Sequence, residues 1–220
     1  MIDDLAVQLA SAWRSTHGVE IIAAVLAVVY LLLAIKQRRS CWAAAFVSSC
    51  LYVWVLFGAR LYMESVLNVF YAAMAVYGYR QWTRGLGSRR DSKKADGPRD
   101  GKGLRISHWT VARNATGLLA ILCLSILSSF LLRRFTPAAW PFVDSMVTWS
   151  SVFATFLVAR KVYENWHWWL IIDSVSLCLY FTRGLYLTMV LFVLYLLLIV
   201  IGMREWRRDL QPAVRVAQLT

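Results

Sequence analysis

Two stretches of this chain, LYMESVLNVFYAAMAVYGYRQWTR at Leu61–Arg84 and LYLTMVLFVLYLLLIVIGMREWRR at Leu185–Arg208, are 124 residues apart (185 − 61) and identical at 11 of their 24 positions. The same offset aligns Trp42 with Trp166, outside these stretches. A shared apolar composition raises the chance of identity between helices, but it does not bring tryptophan and glycine into register. The sequence therefore contains two copies of one structural unit, and the fold is organised around that repeat.

The apolar composition of the chain indicates a membrane protein. Hydrophobic residues make up 60% of its 220 positions, and the mean hydropathy is +0.55, whereas soluble domains are about half apolar. One membrane span needs roughly 20 apolar residues, so the length allows six to eight helices and no soluble domain of useful size. The four cysteines lie inside apolar runs without a paired spacing, which indicates core residues rather than disulfides or metal ligands.

Seven apolar runs have the length of helices, and they are too long and too uniform for strands. The runs are Glu20–Ile35, Cys41–Gly58, Leu61–Tyr79, Ala112–Leu132, Phe142–Ala159, Trp166–Thr182 and Leu185–Met203. Each repeat unit holds three runs, and the fourth run lies between the units. Because three helices plus one make an even number, both units begin on the same side of the membrane. We expect an all-α membrane protein with seven transmembrane helices, arranged as two parallel three-helix repeats plus a linker helix (3+1+3, as in SWEET transporters).

The distribution of basic residues predicts the orientation. Five Lys and Arg residues fall on the N-terminal side of the membrane and 19 on the other side, and the basic side is normally cytoplasmic. We therefore expect a multi-pass membrane protein with its N-terminus outside and its C-terminus inside. The net charge of +12 is then a topology signal rather than a sign of nucleic-acid binding, and RNA or lipid binding by the basic linker is the lesser alternative.

The same pattern gives the boundaries of the predicted segments. They are an outer N-terminal segment 1–18, a first repeat 19–82, a cytoplasmic basic linker 83–110, a linker helix 111–133, a second repeat 142–206 and a cytoplasmic tail 207–220.

The stretch NWHWWLIID at Asn165–Asp173 carries the first candidate binding residues. On a helix that turns by about 100° per residue, Trp166, Trp169 and Asp173 lie at about 0°, 300° and 340°, so they share one face. An aspartate inside a membrane span is costly and usually has a function. A carboxylate beside two indole rings suits a flat organic cation, which is also attracted to the ring faces.

The repeat breaks at positions that an asymmetric ligand would contact. The second unit has Trp169 and Asp173 where the first has alanine and serine, and the first unit has Asn68 where the second has phenylalanine. The predicted pocket consists of Trp166, Trp169 and Asp173 facing Asn68 and Tyr71, with Tyr195 as a wall. Two alternatives stay open: Asp173 could have a structural partner such as a tyrosine hydroxyl, and Asn68 and Tyr71 could hold helices together.

Other conspicuous residues have structural explanations. Five tryptophans at helix ends are expected in the aromatic belt at the membrane surface: Trp42, Trp82, Trp109, Trp140 and Trp206. Gly78 and Gly202 are expected to allow close helix packing rather than to contact a ligand. The three histidines do not cluster and no phosphate-binding loop is present, so we expect no metal, no cofactor and no enzymatic activity.

The motif WxxWxxx[ND] in the sixth of seven helices is matched by Trp166, Trp169 and Asp173, and the third and seventh helices end in YG…QW and G…EW. With the 3+1+3 layout, these features resemble the PnuC family of vitamin transporters, over Glu20 to Arg208. The resemblance implies a homotrimer of the bacterial inner (cytoplasmic) membrane that carries nicotinamide riboside by facilitated diffusion. Relatives called PnuT and PnuX carry thiamine and riboflavin. Many members have a glutamine where this chain has Asn68.

The ligand implied by this resemblance suits the candidate residues. Nicotinamide riboside has a positive charge on a flat ring, which Asp173 could balance, and a carboxamide, which Asn68 could bind. Thiamine is also a flat cation, whereas riboflavin is neutral and would use Asp173 less. Proton coupling through Asp173 is a further alternative. A retinal protein would need a lysine in the seventh run, which has none, and a scaffold acting through the basic linker is the remaining competitor.

Overall fold

The computed structural model describes residues 18–58, 62–87, 104–135, 140–182 and 186–217. These ranges contain seven helices: α1 (Gly18–Ile35), α2 (Cys41–Gly58), α3 (Tyr62–Gly87), α4 (Val111–Phe135), α5 (Pro141–Ala159), α6 (Asn165–Thr182) and α7 (Tyr186–Ala217). Within them the only β-type pairing is one isolated bridge between Ser107 and Val162, so the prediction of an all-helical protein is confirmed. Residues 1–17 of the predicted outer segment and 88–103 of the basic linker lie outside the described residues.

Two helices continue beyond the apolar runs that predict them. The predicted third run stops at Tyr79, but α3 extends to Gly87. The predicted seventh run stops at Met203, but α7 extends to Ala217, so most of the expected tail 207–220 is helical. Arg, Gln and Glu are good helix formers, and the helix therefore does not end where the apolar residues end.

Not every described helix has the composition of an isolated membrane span. Among the described residues, three helical segments are long and apolar enough to cross a membrane: Val111–Phe135, Pro141–Ala159 and Met189–Leu210. Two shorter apolar helices accompany them, Ile21–Ile35 and Cys41–Phe57. The sequence predicts seven spans. The two helices that fall in neither of these groups, α3 and α6, contain several polar side chains that line a cavity between the helices.

The helices pack in two sequential groups. Helices α1, α2 and α3 pack in order, α5, α6 and α7 pack in order, and α4 packs against α5. The two groups contact each other through α3 with α5 and through α1 with α7. Under the 124-residue offset α1 corresponds to α5 and α3 to α7, so these two contacts are equivalents of each other. We call the groups the first unit and the second unit.

The contacts between the units are reciprocal at the level of single hydrogen bonds. Trp82 Nε1 donates to the carbonyl oxygens of the last two residues of α5, at 3.3 and 3.2 Å. Trp206 Nε1, its partner under the offset, donates to those of the last two residues of α1, both at 3.2 Å. Carbonyl groups at a helix C-terminus have no partner within the helix. Each unit therefore caps a helix of the other.

The turns that follow α1 and α5 are also equivalent. Gln37 and Lys161 occupy the same position in the two units, and both have left-handed backbone conformations, with φ of 52° and 51°. This is the usual geometry after a helix C-terminus, although glycine is preferred there. Lys161 Nζ donates to Gln37 Oε1 at 3.1 Å and lies 4.5 Å from the centre of the Trp82 ring. The two strained turns therefore face each other across the boundary between the units.

Three of the tryptophans that we expected in the aromatic belt are in the core instead. Trp42, Trp82 and Trp206 are 2%, 1% and 0% exposed, so the belt prediction is wrong for them, whereas Trp140 is 59% exposed. With Trp166 they form a cluster of four rings in which Trp82 and Trp206 are 6.4 Å apart at the centre. The outer pairs, Trp42 with Trp82 and Trp166 with Trp206, are edge-to-face at 5.5 and 5.3 Å. We call these four residues the tryptophan cluster.

Gly78 and Gly202 give the cluster its space. A Cβ atom on Gly78 would overlap the ring of Trp42, and one on Gly202 would overlap the ring of Trp166. The prediction that these glycines permit close packing is confirmed, with the physical reason that a tryptophan ring fills the place of each missing side chain.

The end of the basic linker is fixed to the second unit. Residues 104–110 run along the turn between α5 and α6, where Tyr163 N donates to Ser107 O at 2.9 Å and Ser107 N donates to Lys161 O at 3.0 Å. Glu164 accepts from the backbone nitrogen of Trp109 at 3.0 Å and contacts His108 Nδ1 at 2.9 Å. The linker therefore reaches α4 along the same end of the bundle as the tryptophan cluster.

Candidate functional site

A cavity of about 410 Å³ lies between the two units. It is lined by residues of α1, α2 and α3 from the first unit and α5, α6 and α7 from the second, whereas α4 contributes none. Small-molecule sites commonly have volumes of about 300–1,000 Å³. The space is therefore large enough for a compact organic molecule.

All six candidate residues predicted from the sequence line this one cavity: Trp166, Trp169, Asp173, Asn68, Tyr71 and Tyr195. They come from three helices and both units, so the chain brings together positions up to 127 residues apart (195 − 68). Their placement agrees with the predicted pocket, and their role in binding remains a prediction.

Asp173 is the only charged side chain among the described residues that line the cavity. It is 5% exposed, and within the described part of the chain it has neither a hydrogen bond nor a salt bridge. Tyr71 and Tyr195, which correspond under the offset, are close enough to interact with it electrostatically. Burying a carboxylate without a partner is costly. The site is therefore suited to a ligand that supplies the missing partner.

The two candidate tryptophans have different environments. Trp166 is 2% exposed, because its ring packs into the gap at Gly202 and against Trp206. Trp169, one turn further along α6, is only partly buried and belongs to the periphery of the core. Trp166 is therefore fixed as part of the cavity wall, whereas Trp169 can present its ring to a ligand.

Aromatic residues form another part of the wall. The rings of Phe192 and Tyr195 are 5.6 Å apart, and Tyr180 lies 5.0 Å from Phe192. Phe192 is the residue that replaces Asn68 in the second unit. The cavity is thus polar where Asn68 lines it and aromatic at the equivalent position, and this difference allows the two halves to bind different parts of a ligand.

Several lining residues were not identified from the sequence. Tyr30 and Tyr52 line the cavity from α1 and α2, and three hydroxyl side chains line it from α5. Trp42 also lines it, and its correspondence to Trp166 in the repeat was a signal that could have placed it there. Tyr30 and Tyr52 have alanine and serine as counterparts in the second unit, and this break in the repeat was a signal of the kind that selected Asn68.

The model of the nicotinamide mononucleotide transporter family, the family of PnuC, matches residues 17–208 of the chain. The chain belongs to this family. The resemblance seen in the sequence is thereby confirmed, and the protein is a vitamin transporter of the PnuC family.

Two curated relatives are transporters rather than enzymes. The riboflavin/roseoflavin transporter RibM of Streptomyces davaonensis is 29% identical over 200 residues, which cover 84% of this chain and 85% of RibM. The nicotinamide riboside transporter PnuC of Escherichia coli is 25% identical over 177 residues, 69% of each chain. The two relatives carry different vitamins, so similarity alone does not select a substrate.

A crystal structure of the vitamin B3 transporter PnuC has the same fold. It superposes with a TM-score of 0.69 and 18% sequence identity, and the match covers 96% of this chain and 90% of that one. The likeness extends over almost the whole bundle, so the helices that surround the cavity belong to the shared fold.

Proposed function

We propose that this PnuC-family protein carries nicotinamide riboside into the cell by facilitated diffusion, and that Trp166, Trp169 and Asp173 bind it together with Asn68, Tyr71 and Tyr195. The observation that carries the proposal is the position of Asp173. It is the one charged side chain that lines the cavity in the described residues, and no protein group there neutralises it.

A flat cation matches this environment better than a neutral ligand. An ionised Asp173 gains a counter-charge when a pyridinium ring enters, and the ring can stack on Trp169, whose cation–π attraction is about 0.5–2 kcal/mol. The carboxamide of the ring can bind Asn68 across the cavity. Ribose hydroxyls can bind the phenol groups of Tyr71 and Tyr195.

The absence of basic residues from the lining argues against a phosphorylated substrate. No Lys or Arg is present among the described residues that line the cavity, and phosphate groups in proteins are normally bound by such residues or by helix N-termini. A mononucleotide would place its phosphate near Asp173 without a counter-charge. The proposal is therefore the riboside rather than the mononucleotide for which the family is named.

The proposed architecture explains how the cavity could open on either side. The reciprocal contacts support two parallel three-helix units related by an axis along the membrane normal, with α4 as the linker helix. The distribution of basic residues supports an outer N-terminus and an inner C-terminus in a bacterial inner membrane, and the resemblance to PnuC supports a homotrimer. Alternating access would then be a rocking of one unit against the other around the ligand.

The tryptophan cluster is the proposed cytoplasmic closure. The hydrogen bonds that the indole groups of Trp82 and Trp206 donate all join one unit to the other. The hydrogen bond from Lys161 to Gln37 also joins the two units. Trp42 and Trp166 line the cavity from the same layer. An inward-facing state requires the units to separate here, so these bonds would break on each transport cycle.

Riboflavin is the second candidate substrate. The similarity to RibM extends over 84% of this chain, and the aromatic lining from Tyr30, Tyr52 and Phe192 suits a flat ring system. Thiamine remains the nearest cationic alternative. Both candidates use the same cavity, and neutral riboflavin would depend less on Asp173 than the cationic vitamins would.

A binding measurement on the purified full-length protein separates these substrates. Isothermal titration with nicotinamide riboside, thiamine, riboflavin and nicotinamide mononucleotide should give the tightest binding for nicotinamide riboside and the weakest for the mononucleotide. In proteoliposomes, uptake of the riboside should follow its own gradient and should not respond to an imposed proton gradient. Tighter binding of riboflavin would replace the proposed substrate with the second candidate, and uptake driven by protons would contradict facilitated diffusion.

A further inference from the structure

Helix α5 presents a row of hydroxyl groups to the cavity. Thr148, Ser151 and Thr155 all line it, and their spacing of three and four residues places them within about 60° of one another on the helix. Over seven residues the row is about 10 Å long, which is comparable to the length of a small polyhydroxylated chain. We call these three residues the hydroxyl row.

The hydrogen atoms of the hydroxyl row are already used. Thr148 Oγ1 donates to Asp144 O at 2.9 Å, Ser151 Oγ donates to Val147 O at 2.8 Å, and Thr155 Oγ1 donates to the carbonyl oxygen of Ser151 at 2.7 Å. Such bonds to the preceding turn are common for hydroxyl side chains in apolar helices. Their consequence here is chemical, because each oxygen keeps lone pairs and can act only as an acceptor toward the cavity.

The equivalent face of α1 is apolar. Under the offset the counterparts of the row are Ala24, Ala27 and Leu31, and the last two line the same cavity. Since both helices have the same position in their units, the fold does not require hydroxyl groups at these sites. The row is therefore an asymmetric feature of the second unit, like Asp173.

Ser151 lies in the middle of the row. Its proton is given to Val147 O, so its oxygen can only accept a hydrogen bond from a ligand in the cavity. The hydroxyl groups of Thr148 and Thr155, above and below it, can receive hydrogen bonds from a ligand in the same way.

We propose that the hydroxyl row accepts hydrogen bonds from the sugar-derived arm of the transported vitamin, with Thr148 and Thr155 as specificity-determining residues. The inference rests on the cavity being the transport site, and it holds for either candidate, because the ribose of nicotinamide riboside and the ribityl chain of riboflavin are both donors of several hydroxyl hydrogens. It also orients the ligand: the arm lies along α5, and the ring lies toward Trp169 and the first unit.

The test compares ligands with and without the arm. In 1-methylnicotinamide a methyl group replaces the ribose on the same cationic ring, and in lumiflavin a methyl group replaces the ribityl chain. Dissociation constants of both pairs are measured by titration on the full-length wild type and on Thr155→Val and Thr148→Val, which keep the side-chain shape but lose the oxygen. Thr155→Ser keeps the oxygen and should retain wild-type affinity.

Thr116→Val is the matched control, because Thr116 on α4 makes the same bond to its preceding turn, at 3.0 Å to Ala112 O, and lies outside the cavity. We expect each valine variant of the row to raise the dissociation constant of the arm-bearing vitamin roughly 3- to 20-fold. The dissociation constant of the armless analogue should change by less than about twofold. Thr116→Val should change neither dissociation constant. The same loss for both members of a pair, or no loss for the arm-bearing member, would overturn the inference.

The two proposals fail in different ways in this experiment. If the wild type binds riboflavin but not nicotinamide riboside, the proposed substrate is wrong, and the hydroxyl row is still judged on the riboflavin and lumiflavin pair. If the wild type binds nicotinamide riboside and the valine variants leave the pair unchanged, the substrate stands and the row is wrong. If it binds neither vitamin, both proposals are wrong.

Discussion

Replacement of Asp173 by asparagine removes the one charge that the described residues contribute to the cavity lining, while it preserves the size of the side chain. Two unit charges about 5 Å apart in an environment with an effective dielectric constant near 20 attract each other by about 3 kcal/mol, and each 1.4 kcal/mol is a factor of ten in affinity. We therefore expect Asp173→Asn to weaken the binding of nicotinamide riboside by about 100-fold. The affinity for a neutral ligand such as riboflavin should fall by less than about threefold.

The stability of the unliganded protein gives an independent measurement. Asp173 is 5% exposed and has no ionic partner among the described residues, so its neutralisation should leave the thermal unfolding temperature unchanged or raise it. Titration and thermal unfolding are measured on the same preparations. Glu205→Gln is the control, because Glu205 is a half-exposed acid paired with Arg208 outside the cavity. A loss of riboside affinity below about threefold, or an equal loss for riboflavin, would refute the electrostatic argument.

Three further changes test other parts of the site. Trp169→Ala should weaken the binding of the riboside by about tenfold through the lost ring contact. It should leave the unfolding temperature near that of the wild type, since Trp169 is only partly buried. A fall of many degrees would assign Trp169 to the core. Gly202→Ala should lower the unfolding temperature and abolish binding, because the new Cβ displaces the ring of Trp166 at a cost of about 1–3 kcal/mol; wild-type stability would contradict the packing. Trp206→Phe should favour the inward-facing state by removing a donor worth about 1 kcal/mol. In a background with the other three cysteines replaced by serine, Cys41, which is 0% exposed, should then react faster with a water-soluble maleimide; an unchanged rate would contradict the proposed closure.

The repeat shows why some contacts could be anticipated from the chain and others could not. Identity at an offset of 124 identifies equivalent helices, and the pairing of α1 with α7 and of α3 with α5 is consistent with that equivalence. The sequence did not indicate which residues would meet at the boundary between the units. Trp82 and Trp206 lie at the ends of apolar runs, where tryptophan is typical of the membrane surface. Whether such an end faces lipid or another helix depends on packing between segments far apart in the chain.

The candidate site also contains some residues that could be anticipated from the sequence and others that could not. A shared helix face selected Trp166, Trp169 and Asp173, since the angle between residues on one helix follows from their spacing alone. Asn68 was selected because the repeat breaks there, Tyr71 because it shares a sector of α3 with Asn68, and Tyr195 because it lies in the matching sector of α7. Tyr30 and Tyr52 also differ between the copies, but so do many other positions of α1 and α2, and the hydroxyl row on α5 resembles the ordinary polar content of a membrane helix.

The sequence by itself determined the helical membrane class, the repeat, the family motif and one polar face of α6, because composition, internal identity and helical periodicity are properties of the chain. Only the tertiary structure decided that Trp42, Trp82 and Trp206 are buried, that each unit caps a helix of the other, and that the hydroxyl row lines the same cavity as Asp173. Those features depend on the distances between helices and on their rotation against one another. Both are set by the packing of side chains such as the tryptophan rings beside Gly78 and Gly202, which no local pattern records.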